Sequence, residues 1–311
     1  MAGFRRVLCA TDLSEAADLA IRAADREARW HGAELVVLHV MQVTLPGAPM
    51  WPEGVEEVVV QQEGLASRVI DELLDRVERL TGRDAGQVSV MVEDGVAADV
   101  IMRQAETVGA DLIVVGASGH RRGLFGRVSE NVVKRARVSV LVARSDGGGR
   151  VLLATDFSDP AEPAAQLAAD EAVRRCAGFT VLHSIEMVVP YVAMGEPAAI
   201  PPIALGAYPI TEMREAVHKR LAATLVHLGV TGDIAVTEGP PSDAIVRLAA
   251  ERGVDLIVIG TSGRRGIDRL LLGSVAMKVV REAPCSVLVA RPPAQVRRAT
   301  GAGQPLSPAP A

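Results

Sequence analysis

The sequence predicts a duplicated α/β protein: two tandem, doubly wound, five-stranded parallel sheets. Three observations carry that expectation. Short β-branched apolar runs alternate with longer helical patterns, the mark of βαβ units. Several of those runs are apolar throughout, as strands are when helices cover both faces of a sheet. Landmarks of the first half also return in the second at a fixed offset of 144 residues. Val7-Leu-Cys-Ala-Thr-Asp-Leu-Ser14 recurs as Val151-Leu-Leu-Ala-Thr-Asp-Phe-Ser158, and His39, Gly95, Asp111 and Gly116 are matched by His183, Gly239, Asp255 and Gly260. A register held over so many points is duplication of a whole domain, not of a short solenoid unit.

The elements follow in order. Strands are expected at Val7–Ala10, Leu35–Val40, Val88–Val92, Leu112–Val115 and Val138–Ala143, and again near Val151, Val181, Ile234, Leu256 and Ser286. Helices fill the intervals. The first spans Ser14 to His31. Its counterpart opens on Asp159-Pro160-Ala161-Glu162, read as an N-cap Asp, a Pro at the first helical position and a Glu at the third, and runs to about Cys176. Glu56–Leu80 and Thr211–Leu228 are the second helices, Ala97–Val108 and Ser242–Arg252 the third, and a last helix covers Val275 to Arg281.

The resulting domains are 1–145 and 150–292. They are joined by Ser145-Asp-Gly-Gly-Gly149, a flexible linker by composition. The tail, 293–311, is rich in Ala, Pro and Gly and is expected to be disordered. Met41–Gly54 and Glu186–Pro209 break the alternation, and loops this long in a compact domain are commonly functional or disordered. The second carries Met187, Tyr191, Ile200 and Tyr208, enough apolar surface to cover a crevice or meet a partner.

Composition excludes several classes. A chain of 311 residues with 49% hydrophobic content has room for two ordinary cores. A net charge of −5 argues against nonspecific nucleic-acid binding, and 3% aromatic residues against stacking platforms for single strands. Cys9, Cys176 and Cys285 fit neither a disulfide framework nor a zinc site, and all three are read as small core residues. No apolar run approaches the roughly 20 residues of a membrane span, and no leader is apparent, so a reducing cytoplasm is the expected compartment.

The stretch Gly260 to Ser274 carries the chemistry. It begins where the apolar run Leu256–Ile259 stops and ends where a helix starts. A glycine closing a strand, a second three residues on, and a third followed by a hydroxyl at a helix start suggest a phosphate cradle, because backbone amides approach an anion closely only where side chains are absent. The helix dipole favours the same charge, and Arg264 and Arg265 add to it.

Gly260-x2-Gly263-x9-Gly273-Ser274 resembles the nucleotide signature of the ATP-binding universal stress proteins, and the segments ATDFS, VDLIVIG and APCSVLVA are similar to theirs as well. The likeness covers nearly the whole chain. It implies a Rossmann-like fold with strand order 3-2-1-4-5 and a crevice between the first and fourth strands. It also implies an adenine nucleotide, ATP or else ADP or AMP, against Ala154, Thr155, Asp156, Ser184, Ile185, Ile259, Gly260, Gly263, Arg264, Gly273, Ser274, Val275 and Ala276. Asp156 is placed to hold Mg²⁺ through the phosphates, although capping the next helix is an alternative role for it. His39 and His183 read as structural residues.

The family pattern sets an apolar residue after this histidine, against adenine; the first copy has Val40, the second Ser184 and then Ile185. In the first copy only six residues separate Gly119 from Gly126, and Arg127 stands where the hydroxyl should be.

Three functions are in competition: a nonenzymatic nucleotide-binding module read by partners, a slow ATP hydrolase or phosphoryl-transfer enzyme, and a dimerisation scaffold. The absence of G-x-x-x-x-G-K-[ST] from the sequence weighs against the second. The apolar fifth strands, as sheet edges, are a pairing liability, and an intramolecular pseudo-dimer would remove it, with a homodimer as a further possibility.

Overall fold

The computed structural model describes residues 3–41, 55–117, 125–147, 149–186, 210–261 and 272–292, with 55–63 and Pro160 described as backbone only. The first half runs β1 (Arg6–Thr11), α1 (Glu15–His31), β2 (Glu34–Met41), α2 (Val55–Thr81), β3 (Ser89–Asp94), α3 (Ala97–Val108), β4 (Leu112–Gly116), α4 (Arg127–Arg135) and β5 (Ser139–Ala143). The second runs β6 (Arg150–Ala154), α5 (Glu162–Arg174), β7 (Gly178–Ile185), α6 (Ile210–Leu228), β8 (Asp233–Glu238), α7 (Pro241–Glu251), β9 (Leu256–Gly260), α8 (Ser274–Glu282) and β10 (Ser286–Ala290). The two interrupting loops and the C-terminal tail lie almost wholly outside the described residues.

Within each half the strands are parallel, in the order 3-2-1-4-5. The halves do not keep separate sheets. β5 pairs antiparallel with β10, Val142 opposite Val287 and Val140 opposite Val289, and the whole is one ten-stranded sheet, β3-β2-β1-β4-β5-β10-β9-β6-β7-β8. All five residues of each central strand are buried.

Two helical layers cover the sheet. Alternate strand residues feed each layer, as period-2 geometry requires. Leu8, Ile113, Val140, Leu152, Ile257 and Val287 share one core with residues of α3, α4, α7 and α8. Val7, Leu112, Leu141, Val151, Leu256 and Leu288 share the other with α1, α2, α5 and α6. α1 and α5 present mostly alanine to the sheet, among them Ala20, Ala24, Ala164 and Ala168, and small side chains let a helix lie close on its strands.

The joint between halves is reinforced reciprocally. The Arg144 amide donates to Ser286 Oγ and its guanidinium to the Val280 carbonyl; the Arg291 amide donates to Ser139 Oγ and its guanidinium to the Val133 carbonyl. Each arginine thus caps the last helix of the opposite half, where a cation favours the dipole.

The repeated landmarks Asp111 and Asp255 also find their reason. Asp111 accepts the amides of Arg5 and Arg6, and Asp255 those of Gly149 and Arg150, so each aspartate clamps the start of its first strand. The linker is consequently no free tether: Gly149 is held by Asp255, and Asp146 accepts from Arg22 at 3.0 Å and lies 3.9 Å from Arg26.

Two local readings need correction. Asp159 does not cap α5. Residues Asp159–Ala161 form a 3-10 turn capped by Ser158 and closed by the Ala161 amide on the Ser158 carbonyl, and α5 starts at Glu162. Ser158 is the counterpart of Ser14, the N-cap of α1.

Cys176 is not a core residue. Cys9 and Cys285 are buried, and burial pushes both thiols up, Cys285 to about 12, but Cys176 is exposed. It occupies the left-handed position just past α5, with φ of 49°, where the first half has Gly32 at 62°. Both ends make the same pair of closing bonds, Ala33 to Ala28 and Ala177 to Ala172 among them. The duplication has therefore left a side chain in a glycine conformation. A left-handed non-glycine residue costs about 1–2 kcal/mol, partly offset by the roughly 0.4–1 kcal/mol of extra chain entropy that glycine brings to the unfolded state. Cys176→Gly should raise the melting temperature by about 1–4 °C and abolish labelling by a thiol reagent of the native protein. An unchanged or lower melting temperature would show that the turn carries no strain.

Candidate functional site

In each half the first and fourth strands are neighbours whose connections leave toward opposite helical layers. β6 leads to α5 on one face and β9 to α8 on the other, so a crevice opens beyond the carboxyl ends of this pair. Ala154 and Ile259 are register partners at its floor, with Gly260 one residue further along β9. Both side chains pack into the core beneath α7 and α8.

Side chains fix the turn after β6. Phe157 has φ of 61°, a conformation rarely taken by a bulky residue. Thr155 Oγ1 accepts the Phe157 amide at 3.1 Å, while Asp156 Oδ1 accepts the Ser158 amide at 3.0 Å and its hydroxyl at 2.6 Å. Asp156 thus shapes the turn from within it. The first half repeats the arrangement with Leu13, also at 61°, Thr11, Asp12 and Ser14. Strain held in place by its surroundings clusters at functional sites.

His183 Nδ1 donates to the Thr155 carbonyl at 2.7 Å and His39 Nδ1 to that of Thr11 at 2.9 Å, so both histidines tie the second strand to the end of the first. The second half adds a stack: Phe157 lies against His183, centroids 4.6 Å apart, and the Arg220 guanidinium sits 4.4 Å over Phe157 and donates to its carbonyl.

Ser184 and Ile185 diverge. Ser184 follows Leu182 in facing the layer of α7 and α8, and its hydroxyl donates to the Gly239 carbonyl at 2.8 Å. Ile185 is buried and, by strand alternation, follows Val181 toward the opposite layer. Of the two, Ser184 shares the face of Ala154 and Ile259.

The other lip is the start of α8. The Gly273 amide donates to the Thr261 carbonyl at 2.6 Å, closing the glycine segment into a loop; Gly126 does the same to Ala117 at 2.9 Å. These bonds enclose residues 262–272 in the second half and 118–125 in the first, eleven against eight. Gly263, Arg264 and Gly119 lie outside the described residues.

Because Gly273 spends its amide on Thr261, it is not among the free donors that the glycine spacing suggests. Helical bonding begins with the Met277 amide on the Gly273 carbonyl, so the amides of Ser274, Val275 and Ala276 have no acceptor within the helix. The exposed Ser274 hydroxyl stands beside them.

The two halves differ in electrostatics at this point. The first turn of α8 has no acidic residue, whereas that of α4 has Glu130, bound by Lys134 and Arg281 and held below the usual carboxylate range by those hydrogen bonds. In α4 the Ser129 hydroxyl also donates to the Gly116 carbonyl at 2.6 Å, bolting the helix to the strand end. Ala276 replaces it in the second half and offers Gly260 no hydroxyl. No local sequence signal marks Thr261 or Arg220, or gives the part that Phe157 and Ser158 play in the turn. Only the repeated Thr-Asp-x-Ser pointed toward two of them.

Comparison with known proteins bears on the family and the fold. The model of the universal stress protein family matches residues 3–144 and again 149–291. A universal stress protein of Mycolicibacterium smegmatis is 29% identical over 304 residues, covering 92% of this chain and 97% of its own. A universal stress protein from Thermus aquaticus is 37% identical over 149 residues, which is 45% of this chain and 97% of the shorter relative. Among solved structures, a universal stress protein from Archaeoglobus fulgidus DSM 4304 superimposes with a TM-score of 0.61 at 22% identity, covering 93% of this chain and 97% of its own, a likeness of fold.

The turn after β6 yields a direct test. Thr155→Val keeps the shape but removes the acceptor of the Phe157 amide, and should destabilise the protein by about 1–2 kcal/mol. Thr11→Val should do the same in the first half. Urea midpoints indistinguishable from those of the parent would show that the hydroxyls do not hold the turns.

Proposed function

Because the chain belongs to the universal stress protein family and carries its domain twice, we propose that it is a nonenzymatic adenine-nucleotide-binding module whose second domain is the working site. The observation that carries this reading is the start of α8: three helix amides without an intrahelical acceptor, a hydroxyl and no acid, across a strand-end crevice from a preset turn. Such a donor set fits a phosphate chain. Ser274, Val275 and Ala276 would hold the phosphates together with the glycine loop from Gly263 and Arg264 to Gly273. Ala154, Thr155, Asp156, Ile259 and Gly260 would line the ribose and base, with Ser184 beside them. ATP, ADP or AMP all suit this arrangement, and Mg²⁺ carried by the phosphates would face Asp156.

The proposed boundaries are 1–145 and 150–292, two domains acting as an intramolecular pseudo-dimer, in the cytoplasm. Described residues contain no helix long and apolar enough to cross a membrane. Nucleotide would act by favouring one conformation or assembly over another, which requires different affinity for the two states.

The first domain is a poorer site on three counts: a loop three residues shorter, Arg127 for the hydroxyl, and Glu130 with its negative charge already at the helix start.

Calorimetric titration with ATP, ADP and AMP tests the assignment. At one hundred times its dissociation constant, a ligand stabilises the folded form by about 2.7 kcal/mol, a melting shift of roughly 5–15 °C for a domain of this size. Gly273→Val should abolish most of the binding and Gly126→Val should leave it. The reverse result would move the site to the first domain, and absence of any shift in the parent would remove the nucleotide function.

A further inference from the structure

α1 and α5 meet through four side chains that are at most 3% exposed: Glu27 and His31 from the first domain, Glu171 and Arg175 from the second. They are the same two positions of the repeat. At the 144-residue offset Glu27 matches Glu171 and His31 matches Arg175, so duplication sets carboxyl against carboxyl and only the basic partners differ. Arg175 donates to both carboxyls, Nε to Glu171 Oε2 at 2.9 Å and Nη2 to Glu27 Oε1. His31 Nε2 lies 2.9 Å from Glu171 Oε1 and 3.7 Å from Glu27 Oε2.

The protonation of this group follows from its neighbours. His31 Nδ1 accepts the Phe4 backbone amide at 3.1 Å. A ring nitrogen that accepts an amide carries no proton. His31 is therefore neutral, with its proton on Nε2 and donated to Glu171. Two ionised carboxyls would then face one guanidinium in a dry joint. Arg26 also acts on Glu27, but its guanidinium is directed to Asp146 of the linker, donating to the backbone carbonyl there at 3.2 Å. Glu27 Oε2 is buried and accepts no hydrogen bond among the described residues. With both carboxyls ionised the joint would hold one negative charge more than Arg175 balances, on an oxygen that accepts no hydrogen bond; as a carboxylic acid hydroxyl Oε2 is a donor, with the Glu171 carboxylate in reach.

Glu27, His31 and Glu171 also bring three ligand atoms within 4.8 Å of one another. A metal on Nε2 would require the imidazole proton on Nδ1, pointing into the Phe4 amide, and a cation beside Arg175. The same hydrogen bond that sets the tautomer argues against the metal.

We propose that the joint between the two domains is held by a single bound proton: Glu27 is a neutral carboxylic acid when α1 and α5 are docked, it shares that proton with Glu171, and losing it loosens the joint. Burial first, and the Glu171 charge second, push the Glu27 carboxyl up to about 8, against the pull of Arg175 and Arg26. Burial would raise Glu171 too, but the hydrogen bond from His31 and the charge and hydrogen bond of Arg175 pull that carboxyl the other way. The sign is then determined. Between the ordinary glutamate value and about 8 the folded chain holds one proton more than the unfolded chain, so this group's stabilisation falls as pH rises through that window and is gone above it. Glu171 acts in the opposite sense and only at more acid pH.

The test compares melting temperature against pH for the parent and for Glu27→Gln, which keeps the shape of a neutral acid. The parent should lose stability steadily from about pH 5 to about pH 8 relative to the variant, whose own slope over that interval should be shallower by one proton. An identical slope in both would overturn the proposal. Infrared spectra of the unmodified protein provide an arm that does not depend on the variant's folding. A protonated-carboxyl band should be present at neutral pH and fade with a midpoint near pH 8, while nitrogen-15 shifts should report His31 as the neutral Nε2–H form. A missing band, or a doubly protonated His31 at pH 7, would equally overturn it.

Discussion

The pairing of β5 with β10 is the contact on which the rest of the molecule depends. Each half alone would end in an apolar strand with an open row of amides and carbonyls, the kind of edge that recruits other chains. Both strands read Ser-Val-Leu-Val-Ala, so the antiparallel contact is self-complementary, with like residues exchanging roles across an approximate two-fold axis. The reciprocal arginine caps and the serine bonds at the strand ends are further consequences of that axis, and so is the meeting of Glu27 with Glu171. None of these contacts could form in a single copy.

Much of this is legible in the residues. Strand and helix positions fall within a residue or two of those observed, because fully apolar runs bounded by turn residues leave little freedom. The 144-residue register pairs equivalent positions from the amino acids alone, and the fold supplies reasons for several of them, Asp111 and Asp255 as strand clamps among them. The strand order comes from resemblance rather than from periodicity, since a βαβ pattern does not say where a crossover lands.

What could not be read is tertiary in origin. Asp159 has every local mark of an N-cap, but Asp156 and Ser158 already fix the turn that precedes it. Cys176 looks like any unpaired small residue until its place past a helix end is known. Ile185 is adjacent to Ser184 in sequence and faces the other side of the sheet. At the candidate site, glycine spacing marks the loop, yet only the closing bond to Thr261 shows that the Gly273 amide is already bonded. In the second half the two lips of the crevice are shaped by different devices, a helix start and a pair of short side chains.

The antiparallel seam has a further, geometric effect. Each half is a parallel set, and the two sets run in opposite directions, so the carboxyl ends of their strands emerge on opposite rims of the single sheet. The two mouths are therefore separated by at least the length of the five-residue central strands, roughly 17 Å. Whatever docks over one rim leaves the other uncovered. The chain is built as a two-headed plank that can be approached from both ends at once, and any communication between its heads has to cross the seam and the α1–α5 joint rather than a shared pocket.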